Sequence, residues 1–498
     1  MNVNPITRLD YPDPDVIRVE DTYYMVSTTM HFMPGCEILQ SFDLVHWEHV
    51  TYVYETLDHT DAQQLKSGQN IYGQGMWAAS LRYHEGRFYI CFVANDTRKT
   101  YLYTSEKIDG PWKKQLIEGF YHDGSLLFDE DGRSYIVYGN DEIWITELNE
   151  DLTAPKKDGL HRLLVSDHKN PELGYEGSHI QKINGYYYIF LVHSLRDRWM
   201  RTEACFYSDS LEGEFTGGDV LCDDRGYCGQ GVAQGGIVDT PDGKWYAMLF
   251  QDSGAVGRIP ILLPVTWKDH FPFFGQNGHV PEEIEVHSTR PGYIYQPLVG
   301  SDDFCNGLLP RWQFNHDPDP RYYHLDALQG TYTITTREVC TELTQAVNTL
   351  TQRMSYPSCA AEVTVDASAL KEGDVAGLCA LQSCYAAVGI TKHHGKYEVL
   401  MLDKKEDGIL DMTEGTVVES HQMDFRLEAD FCNMKDEARC YYRVNKGDWL
   451  PIGNVHKLYF KLDHFTGCRF GLFCYAAEET GGSACFRDFK YYDVDEIS

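Results

Sequence analysis

The chain has 498 residues, a length that predicts two or three domains rather than one. Its 43 Lys and Arg residues against 75 Asp and Glu residues give a net charge of −32 at pH 7. This charge repels polyanions, so nucleic acid and acidic membrane surfaces are excluded as partners, whereas a neutral sugar is not. No run of 18 apolar residues is present, which excludes a helical membrane span.

The 15 cysteines are scattered and lack the paired spacing of metal sites. The first residues, MNVNPITRLDYPDPD, contain neither the basic nor the apolar region of a signal peptide. We therefore expect reduced thiols in a cytoplasmic protein, with a secreted parent as the alternative. The sequence permits a homo-oligomer and does not choose an oligomeric state.

Five copies of one pattern fill the first part of the chain. Each copy joins an apolar strand to an aromatic-rich strand across a hairpin turn, and successive copies start 45 to 65 residues apart. This spacing leaves room for four strands per copy, so the sequence predicts a five-bladed β-propeller, with a β-sandwich as the alternative. The copies read DPDVIRVEDTYYMVS from Asp13, AASLRYHEGRFYICF from Ala78, DGSLLFDEDGRSYIVY from Asp123, EGSHIQKINGYYYIF from Glu176 and QGGIVDTPDGKWYAML from Gln234.

The repeat ends near residue 295, and the segment PGYIYQPLVGSDDF is typical of a linker. Short alternating strands follow, such as LQGTYTITT, CAAEVTVDA and CRFGLFCYAA. They predict a second all-β domain, most simply a β-sandwich. We therefore predict a propeller at residues 1–295 and a sandwich at residues 296–498.

The repeats, aligned by their turns, share one position at the start of each innermost strand. Innermost strands crowd the axis of a propeller, so these positions converge on one funnel. Three converging carboxylates repel one another and are costly to bury, which favours a functional role over turn chemistry. Two carboxyl groups that flank a bond, one protonated and one ionised, are what glycoside hydrolysis requires. The shared position holds Asp13, Ala78, Asp123, Glu176 and Gln234.

Four sequence blocks occur in the order YPDPDVIRVEDTYYMVSTT, HDGSLLFDEDGRSYIVYG, YEGSHIQKINGYYYIF and AQGGIVDTPDGKWYAMLFQ. Together they resemble the signature segments of glycoside hydrolase family 43, over about residues 5–290. Two later segments, WQFNHDPDPRYYHL and NTLTQRMSYP, resemble the sandwich attached to the β-xylosidase-type members. The resemblance implies a five-bladed propeller followed by a jelly-roll, concanavalin-like sandwich. It also implies an inverting β-xylosidase, α-L-arabinofuranosidase or arabinanase.

The resemblance assigns catalytic roles to three carboxylates. It implies that Asp13 is the general base, that Glu176 is the general acid, and that Asp123 raises the pKa of the acid and orients it. In an inverting enzyme the base and the acid lie roughly 6.5–9.5 Å apart, which leaves room for the attacking water. Asp15 lies two residues beyond Asp13 on the same face of an extended strand, and we expect it to be structural.

The resemblance also implies residues that bind the sugar. Trp77 matches a tryptophan that lines the sugar subsite, Phe32 is expected to wall the same subsite, and Arg258 matches an arginine that reaches sugar hydroxyls. Gln234, which can hydrogen-bond, is expected to bind the sugar; many family members carry a histidine there near a bound ion, and an amide is the poorer metal ligand. We expect no cofactor for the chemistry, leave a structural calcium open, and assign no metal ligands.

The sequence therefore predicts an exo-acting, inverting glycoside hydrolase that takes a small oligosaccharide. It would release terminal β-D-xylosyl or α-L-arabinofuranosyl residues from oligosaccharides derived from plant polysaccharides. The C-terminal sandwich is expected to cap one side of the funnel and turn it into a pocket. Two alternatives stay open at this point: an endo-arabinanase, and a sugar-binding propeller without catalysis.

Overall fold

The computed structural model describes residues 2–461 and 465–493. Within these ranges the chain forms β-strands and no α-helix, which confirms the predicted all-β class. No helix of the described residues is long and apolar enough to span a membrane. All 15 cysteines lie in this part of the chain and none is in a disulfide. Four short 3₁₀ turns lie at Lys66–Gly68, Gly254–Val256, Leu343–Gln345 and Cys432–Met434.

Five four-stranded antiparallel sheets form the N-terminal domain. The first strand of each sheet is innermost, and these strands contact one another around a ring in which the fifth meets the first. The predicted five-bladed β-propeller is therefore confirmed. The strands are Asp15–Val19, Thr22–Val26, Gly35–Ser41 and Glu48–Tyr54 in blade 1; Met76–His84, Arg87–Ala94, Lys99–Ser105 and Lys113–Ile117 in blade 2; Ser125–Phe128, Ser134–Asn140, Glu142–Leu148 and His161–Ser166 in blade 3; Glu176–Ile183, Tyr186–Ser194, Arg201–Ser208 and Thr216–Leu221 in blade 4; and Val232–Asp239, Trp245–Asp252, Arg258–Lys268 and Phe271–Phe274 in blade 5.

The ring closes where blade 1 meets blade 5. Strand Asn2–Val3 pairs with Glu283–Ile284, which follows the last blade. The amide of Asn4 donates to one carbonyl group of blade 5 and to another just beyond it. The guanidinium of Arg18 in blade 1 pairs with the carboxylate of Asp239 in blade 5. The closure thus depends on side chains and on a short added strand rather than on a blade shared between the two chain ends.

Two antiparallel sheets pack face to face in the C-terminal domain, as predicted for a sandwich, with a shared apolar core between them. One sheet runs Leu410–Met412, Lys396–Lys404, Ala386–His393, Val375–Leu381, Arg469–Tyr475, Leu350–Arg353, Gln313–Asn315 and Phe32–Met33, with Thr416–Val418 also paired to Lys396–Lys404. The other runs Tyr323–Asp326, Thr331–Thr335, Ser483–Asp493, Ser358–Asp366, Gln422–Asp430, Glu437–Val444 and Leu450–Lys457.

The two domains share a sheet. Strand Phe32–Met33 leaves blade 1 and pairs with Gln313–Asn315 at the edge of the first sandwich sheet. A buried ion pair also joins the domains, with Arg353 Nη1 lying 2.8 Å from Glu37 Oε2. The predicted boundary at 295/296 falls in segment 285–312, which contributes no strand to either domain. The sandwich is therefore fixed against the face of the propeller.

Candidate active site

One cavity lies at the end of the propeller where the innermost strands begin, and its volume is about 180 Å³. All five blades contribute to its wall, and the sandwich adds one aromatic ring. Six of the seven residues that the sequence assigned to the site are brought together here. The wall is formed by Asp13, Trp77, Asp123, Glu176, Gln234 and Arg258, with His122, Leu173, Arg201 and Phe465.

Hydrogen bonds between neighbouring innermost strands mark the positions that are equivalent in different blades. At each of these positions the side chain accepts a bond from the backbone N–H one residue further along in the next blade. The bonds join Asp15 to the N–H of Leu81 at 2.7 Å, Ser80 to that of Leu126 at 3.1 Å, and Ser125 to that of Ile180 at 3.0 Å. The equivalent positions are therefore Asp15, Ser80, Ser125 and His179.

The sequence alignment of blade 4 is one residue out of register with the structure. Two residues before the equivalent positions lie Asp13, Asp123 and Gly177, so the prediction that Glu176 shares the position of the aspartates is wrong by one residue. The register shift lies between Glu176 and His179, and similar shifts occur in blades 2 and 5. Two successive sets of equivalent positions, one from each blade, thus build the cavity. The first set, called the carboxylate register, holds Asp13, Ala78, Asp123, Gly177 and Gln234. The second, called the preceding register, lies one residue earlier and holds Pro12, Trp77, His122, Glu176 and Ala233.

The carboxylate register has a left-handed backbone at four of its five positions. The angle φ is 52° at Asp13, 49° at Asp123, 66° at Gly177 and 62° at Gln234. Non-glycine residues rarely adopt such angles, and those that do cluster at functional sites. Position 177 requires glycine, because a Cβ atom there would lie 2.7 Å from the Gln234 side chain. The Gly177 N–H donates to the Asp123 carboxylate at 2.9 Å, which ties blade 4 to blade 3 beside Glu176.

Asp13 is held by donors on both of its oxygens. The Thr28 hydroxyl donates to Oδ2 at 2.6 Å, and Arg258 Nη1 donates to Oδ1 at 2.7 Å. Arg258 is itself fixed by Asp252, at 3.2 Å, and its guanidinium lies 3.8 Å from the centre of the Phe465 ring. The carboxylate therefore faces the cavity as a hydrogen-bond acceptor in a fixed orientation.

Glu176, Asp123 and His122 form a tight cluster that lines the same cavity as Asp13. His122 Nε2 lies 3.6 Å from Asp123 Oδ2 and 3.7 Å from Glu176 Oε2. The Asn140 amide donates to the same oxygen of Glu176 at 2.7 Å. Two carboxyl groups and one imidazole thus share one corner of the cavity, while Asp13 is fixed separately.

Comparison with known proteins agrees with this arrangement. Residues 3–272 match glycosyl hydrolases family 43. The chain belongs to this family. Residues 301–492 match the C-terminal concanavalin A-like domain of β-xylosidases, so the family 43 assignment extends to the sandwich.

Relatives of the chain carry both domains. A β-xylosidase of Formosa agariphila is 26% identical, over 99% of this chain and 89% of its own. A xylosidase/arabinosidase of Butyrivibrio fibrisolvens is 23% identical over 99% of both chains. The structure of a bifunctional GH43-CE protein of Bacteroides eggerthii superposes with a TM-score of 0.91 and 42% identity, over 99% of this chain and 63% of that one. This chain therefore spans less than two thirds of the bifunctional protein.

Burial and neighbouring charges set the protonation of the cluster in this family 43 site. Burial, with the charges of Glu176 and Asp13, raises the pKa of Asp123 to about 6 against the opposing charge of His122. The Asp123 charge is in turn the main cause that raises the pKa of His122 to about 9. Burial opposes ionisation of Glu176, but His122 together with the charges of Arg201 and Arg258 outweighs it and lowers the pKa of Glu176. In the ligand-free site these directions favour ionised Glu176 beside a charged His122. That Asp123 raises the pKa of the acid stays a prediction of the sequence.

Several residues of the site were missed by the sequence analysis. His122 stands next to Asp123 in HDGSL and belongs to the same register as Trp77 and Glu176. Asn140 ends the second strand of blade 3, just beyond the aligned copy, and Arg201 begins the third strand of blade 4, which the repeat alignment did not cover. The signal that could have found His122 is its position directly before an assigned aspartate.

Phe32 is not part of the cavity wall, contrary to the prediction. Its strand pairs with the sandwich, and its ring lies in the sandwich core beneath the Arg469 guanidinium, 3.5 Å away. Phe465 from the sandwich lines the cavity instead, with its ring centre 5.3 Å from that of Trp77. The sandwich therefore lines the funnel as expected, but it does so with Phe465, which the sequence analysis did not name.

The residues present do not fit a resident calcium ion. The only group of three His, Cys, Asp or Glu side chains close enough to hold a metal, within the described ranges, is His122, Asp123 and Glu176. Calcium prefers roughly six to eight oxygen ligands, whereas this group offers an imidazole and two carboxylates. One oxygen of each carboxylate already accepts an N–H, from Gly177 and from Asn140. No catalytic step is therefore derived through a metal.

Proposed function

We propose that this protein is an exo-acting, inverting glycosidase that releases terminal β-D-xylosyl or α-L-arabinofuranosyl residues from oligosaccharides of plant-polysaccharide origin. The observation that carries the proposal is the pairing of a fixed carboxylate, Asp13, with a separate carboxyl cluster, Asp123 and Glu176, across one small cavity. Two carboxyl groups on either side of a glycosidic bond are the chemical requirement for its hydrolysis.

The size of the cavity favours removal of a chain-end residue. At about 180 Å³ it is smaller than the roughly 300–1,000 Å³ of pockets that take drug-sized ligands, so it suits one sugar unit. Phe465 forms one wall of the cavity. An open groove that binds an internal stretch of polysaccharide would not need such a wall. Trp77 Nε1 and Arg201 Nη1 are buried donors with no acceptor among the described residues, and both side chains line the cavity. Such donors suit sugar hydroxyl groups.

The proposed mechanism uses three carboxyl groups in different roles. Glu176 protonates the leaving oxygen as the bond to the anomeric carbon breaks. Asp13 takes a proton from a water molecule that attacks the anomeric carbon from the opposite face, which inverts its configuration. Asp123 accepts the N–H of Gly177 and so fixes the backbone next to the acid. The reaction as proposed needs no metal.

Similarity to named enzymes supports a pentosyl substrate. The Formosa relative is a β-xylosidase, and the Butyrivibrio relative is a xylosidase/arabinosidase. A neutral oligosaccharide also suits a chain with a net charge of −32, which repels anionic polymers.

A panel of glycosides tests the proposal. The p-nitrophenyl β-D-xyloside and α-L-arabinofuranoside, xylobiose and linear arabinan are each incubated with the protein, and NMR follows the anomer that is released first. We expect one pentose at a time, with inverted configuration and an unchanged rate after EDTA treatment. Retained configuration would exclude the proposed roles, and oligosaccharide products from arabinan would make the protein an endo-arabinanase. Binding without cleavage of any of them would leave a sugar-binding propeller.

A further inference from the structure

His122 lies between the two carboxyl groups of the cluster and bonds to neither at ordinary distance. Its Nε2 atom is buried and has no hydrogen-bond partner among the described residues. The oxygens of Asp123 and Glu176 lie 3.6 and 3.7 Å from it. Catalytic contacts are often long in a ligand-free site and shorten when substrate binds. A small rotation of the ring would therefore allow a proton to pass between Nε2 and either carboxylate.

The charges that face this imidazole are mostly negative. Asp123 and Glu176 lie nearest, and the charge of Asp13 acts on His122 from across the cavity. The cations of this region, Arg201 and Arg258, act on Glu176 instead. Their guanidinium groups are bonded to Asp252 and, for Arg258, also to Asp13. His122 is therefore the only charged nitrogen within 4 Å of both cluster carboxylates, among the residues described.

We propose that His122 is a positioning residue that stores, in the free enzyme, the proton that Glu176 gives to the leaving oxygen. The inference rests on the proposed function, because it concerns the acid of that reaction. A histidine next to a carboxyl group is suited to storing a proton, since the two groups share one proton over a wide pH range.

The transfer follows from the filling of the cavity. In the free site the proton is on Nε2 of His122 and Glu176 is a carboxylate. A bound glycoside expels water, which disfavours two separated charges relative to two neutral groups. The proton then moves from Nε2 to Oε2, leaving neutral imidazole and a carboxylic acid, and Glu176 passes it to the leaving oxygen. Asp13 receives a proton from the attacking water, and after product release that proton leaves to solvent while His122 takes one up.

The pH dependence of the rate follows from this arrangement. The pair of His122 and Glu176 retains one proton until His122 itself titrates, and its pKa is raised to about 9. The basic limb of kcat/KM for the wild type is therefore expected near that pH. Without the imidazole the proton must reside on a carboxyl group, which releases it at lower pH.

His122→Asn and His122→Gln test this in the full chain. With the pentosyl disaccharide as substrate, we expect the basic limb of kcat/KM to move down by about two pH units or more in both variants. At pH 8 the rate relative to its maximum should then fall by about tenfold or more while the wild type is little affected. With a 2,4-dinitrophenyl glycoside, which needs no protonation, the limb should change much less.

His84→Asn is the matched control. His84 stacks on Phe128 at the far end of the propeller, with ring centres 4.6 Å apart, and lines a different cavity. Its pH profile should equal that of the wild type. If the basic limb is unchanged in both His122 variants, the storage role is refuted while the proposed glycosidase activity stands.

NMR of the ¹⁵N-labelled histidine ring tests the same pair without relying on activity. We expect the pKa of His122 to fall in both Asp123→Asn and Glu176→Gln, because the Asp123 charge is the largest single cause of its rise and Glu176 adds to it by its hydrogen bond and its charge. A titration of His122 that neither substitution moves would refute the coupling. If the wild type cleaves no glycoside and the coupling is still seen, the proposed function fails and the proton sharing is retained.

Discussion

The side chain of Glu176 reaches the cavity from the register that also holds Trp77 and His122. There the Asn140 amide donates to its Oε2 at 2.7 Å, and His122 lies 3.7 Å from the same atom. Asp13 is held independently by Thr28 and Arg258. Because the two groups share no hydrogen-bond partner, loss of the acid should leave the base in place.

We expect Glu176→Ala to lower kcat/KM on a pentosyl disaccharide by roughly 10²–10⁴-fold, the range typical of general acid–base catalysis. On the 2,4-dinitrophenyl glycoside of the same sugar the loss should be much smaller, since that group departs without a proton. Steady-state rates on both substrates at one pH provide the measurement.

Asp13→Asn is the control, because activation of water does not depend on the leaving group. It should lose activity equally on both substrates. Asp15→Asn should instead lower stability, since Asp15 is buried and bonded to Arg82 and His179. Equal losses for Glu176→Ala on the two substrates would show that Glu176 is not the acid.

The motif blocks were sufficient to locate Asp13, Asp123 and Glu176, and the structure brings all three to one cavity. They were not sufficient for His122. In a regular strand, adjacent side chains point to opposite faces, so the residue before Asp123 was not expected to face the same space. His122 and Asp123 precede strand Ser125–Phe128, and Asp123 has a left-handed backbone, so the alternation does not apply to them. Neither feature can be read from the sequence.

Among the elements, the innermost strands of blades 1 to 4 are joined by one arginine whose side chain is 12% exposed. The guanidinium of Arg82 in blade 2 lies 2.8 Å from the Asp15 carboxylate in blade 1. It also donates to the hydroxyl of Ser125 in blade 3 at 2.7 Å and to the carbonyl of Ile180 in blade 4 at 3.2 Å. These strands continue directly from the cavity residues. Arg82 therefore holds together the elements that position the three carboxyl groups.

Arg82→Met is expected to lower the free energy of unfolding by about 3–5 kcal/mol, the cost of leaving one member of a buried ion pair unpaired. Asp15 would be that member, since it is 1% exposed and would lose its arginine partner, keeping only His179 and the Leu81 N–H. Urea unfolding followed by tryptophan fluorescence measures the change.

Arg18→Met is the matched control on a neighbouring innermost strand. Its pair with Asp239 lies nearer the solvent, with the two side chains 23% and 37% exposed. Pairs of this kind contribute at most about 1 kcal/mol. If the two variants were destabilised equally, burial of the Arg82 pair would not be the cause of its effect.

The blades could be predicted because each hairpin has its own turn and its own alternation of apolar residues. Strand Phe32–Met33 could not, since two residues show no alternation and its partner Gln313–Asn315 lies in the other domain. The Phe32 assignment failed for the same reason: a loop residue near the funnel was expected to stay with the propeller. Long-range pairing of so short a strand depends on how the two domains pack.

At the scale of the whole molecule, the two domains make one active site. Phe465 of the sandwich lies against Arg258 of blade 5, which in turn holds Asp13. The shared strand and the buried pair of Glu37 with Arg353 keep the sandwich in this place. The propeller therefore supplies the chemistry, and the sandwich supplies a wall that determines how much substrate fits.

Phe465→Ala tests whether the sandwich affects substrate binding rather than the chemical step. The substitution removes the ring beside Arg258 and Trp77, and aromatic or cation–π contacts of this kind contribute about 0.5–1.5 kcal/mol. We expect KM to rise by up to about tenfold, while kcat changes little because Phe465 does not contact the carboxyl groups that react. Phe465→Tyr, which keeps the ring, should retain a KM close to that of the wild type. A large fall in kcat with unchanged KM would mean instead that Phe465 acts through Arg258 on the orientation of Asp13.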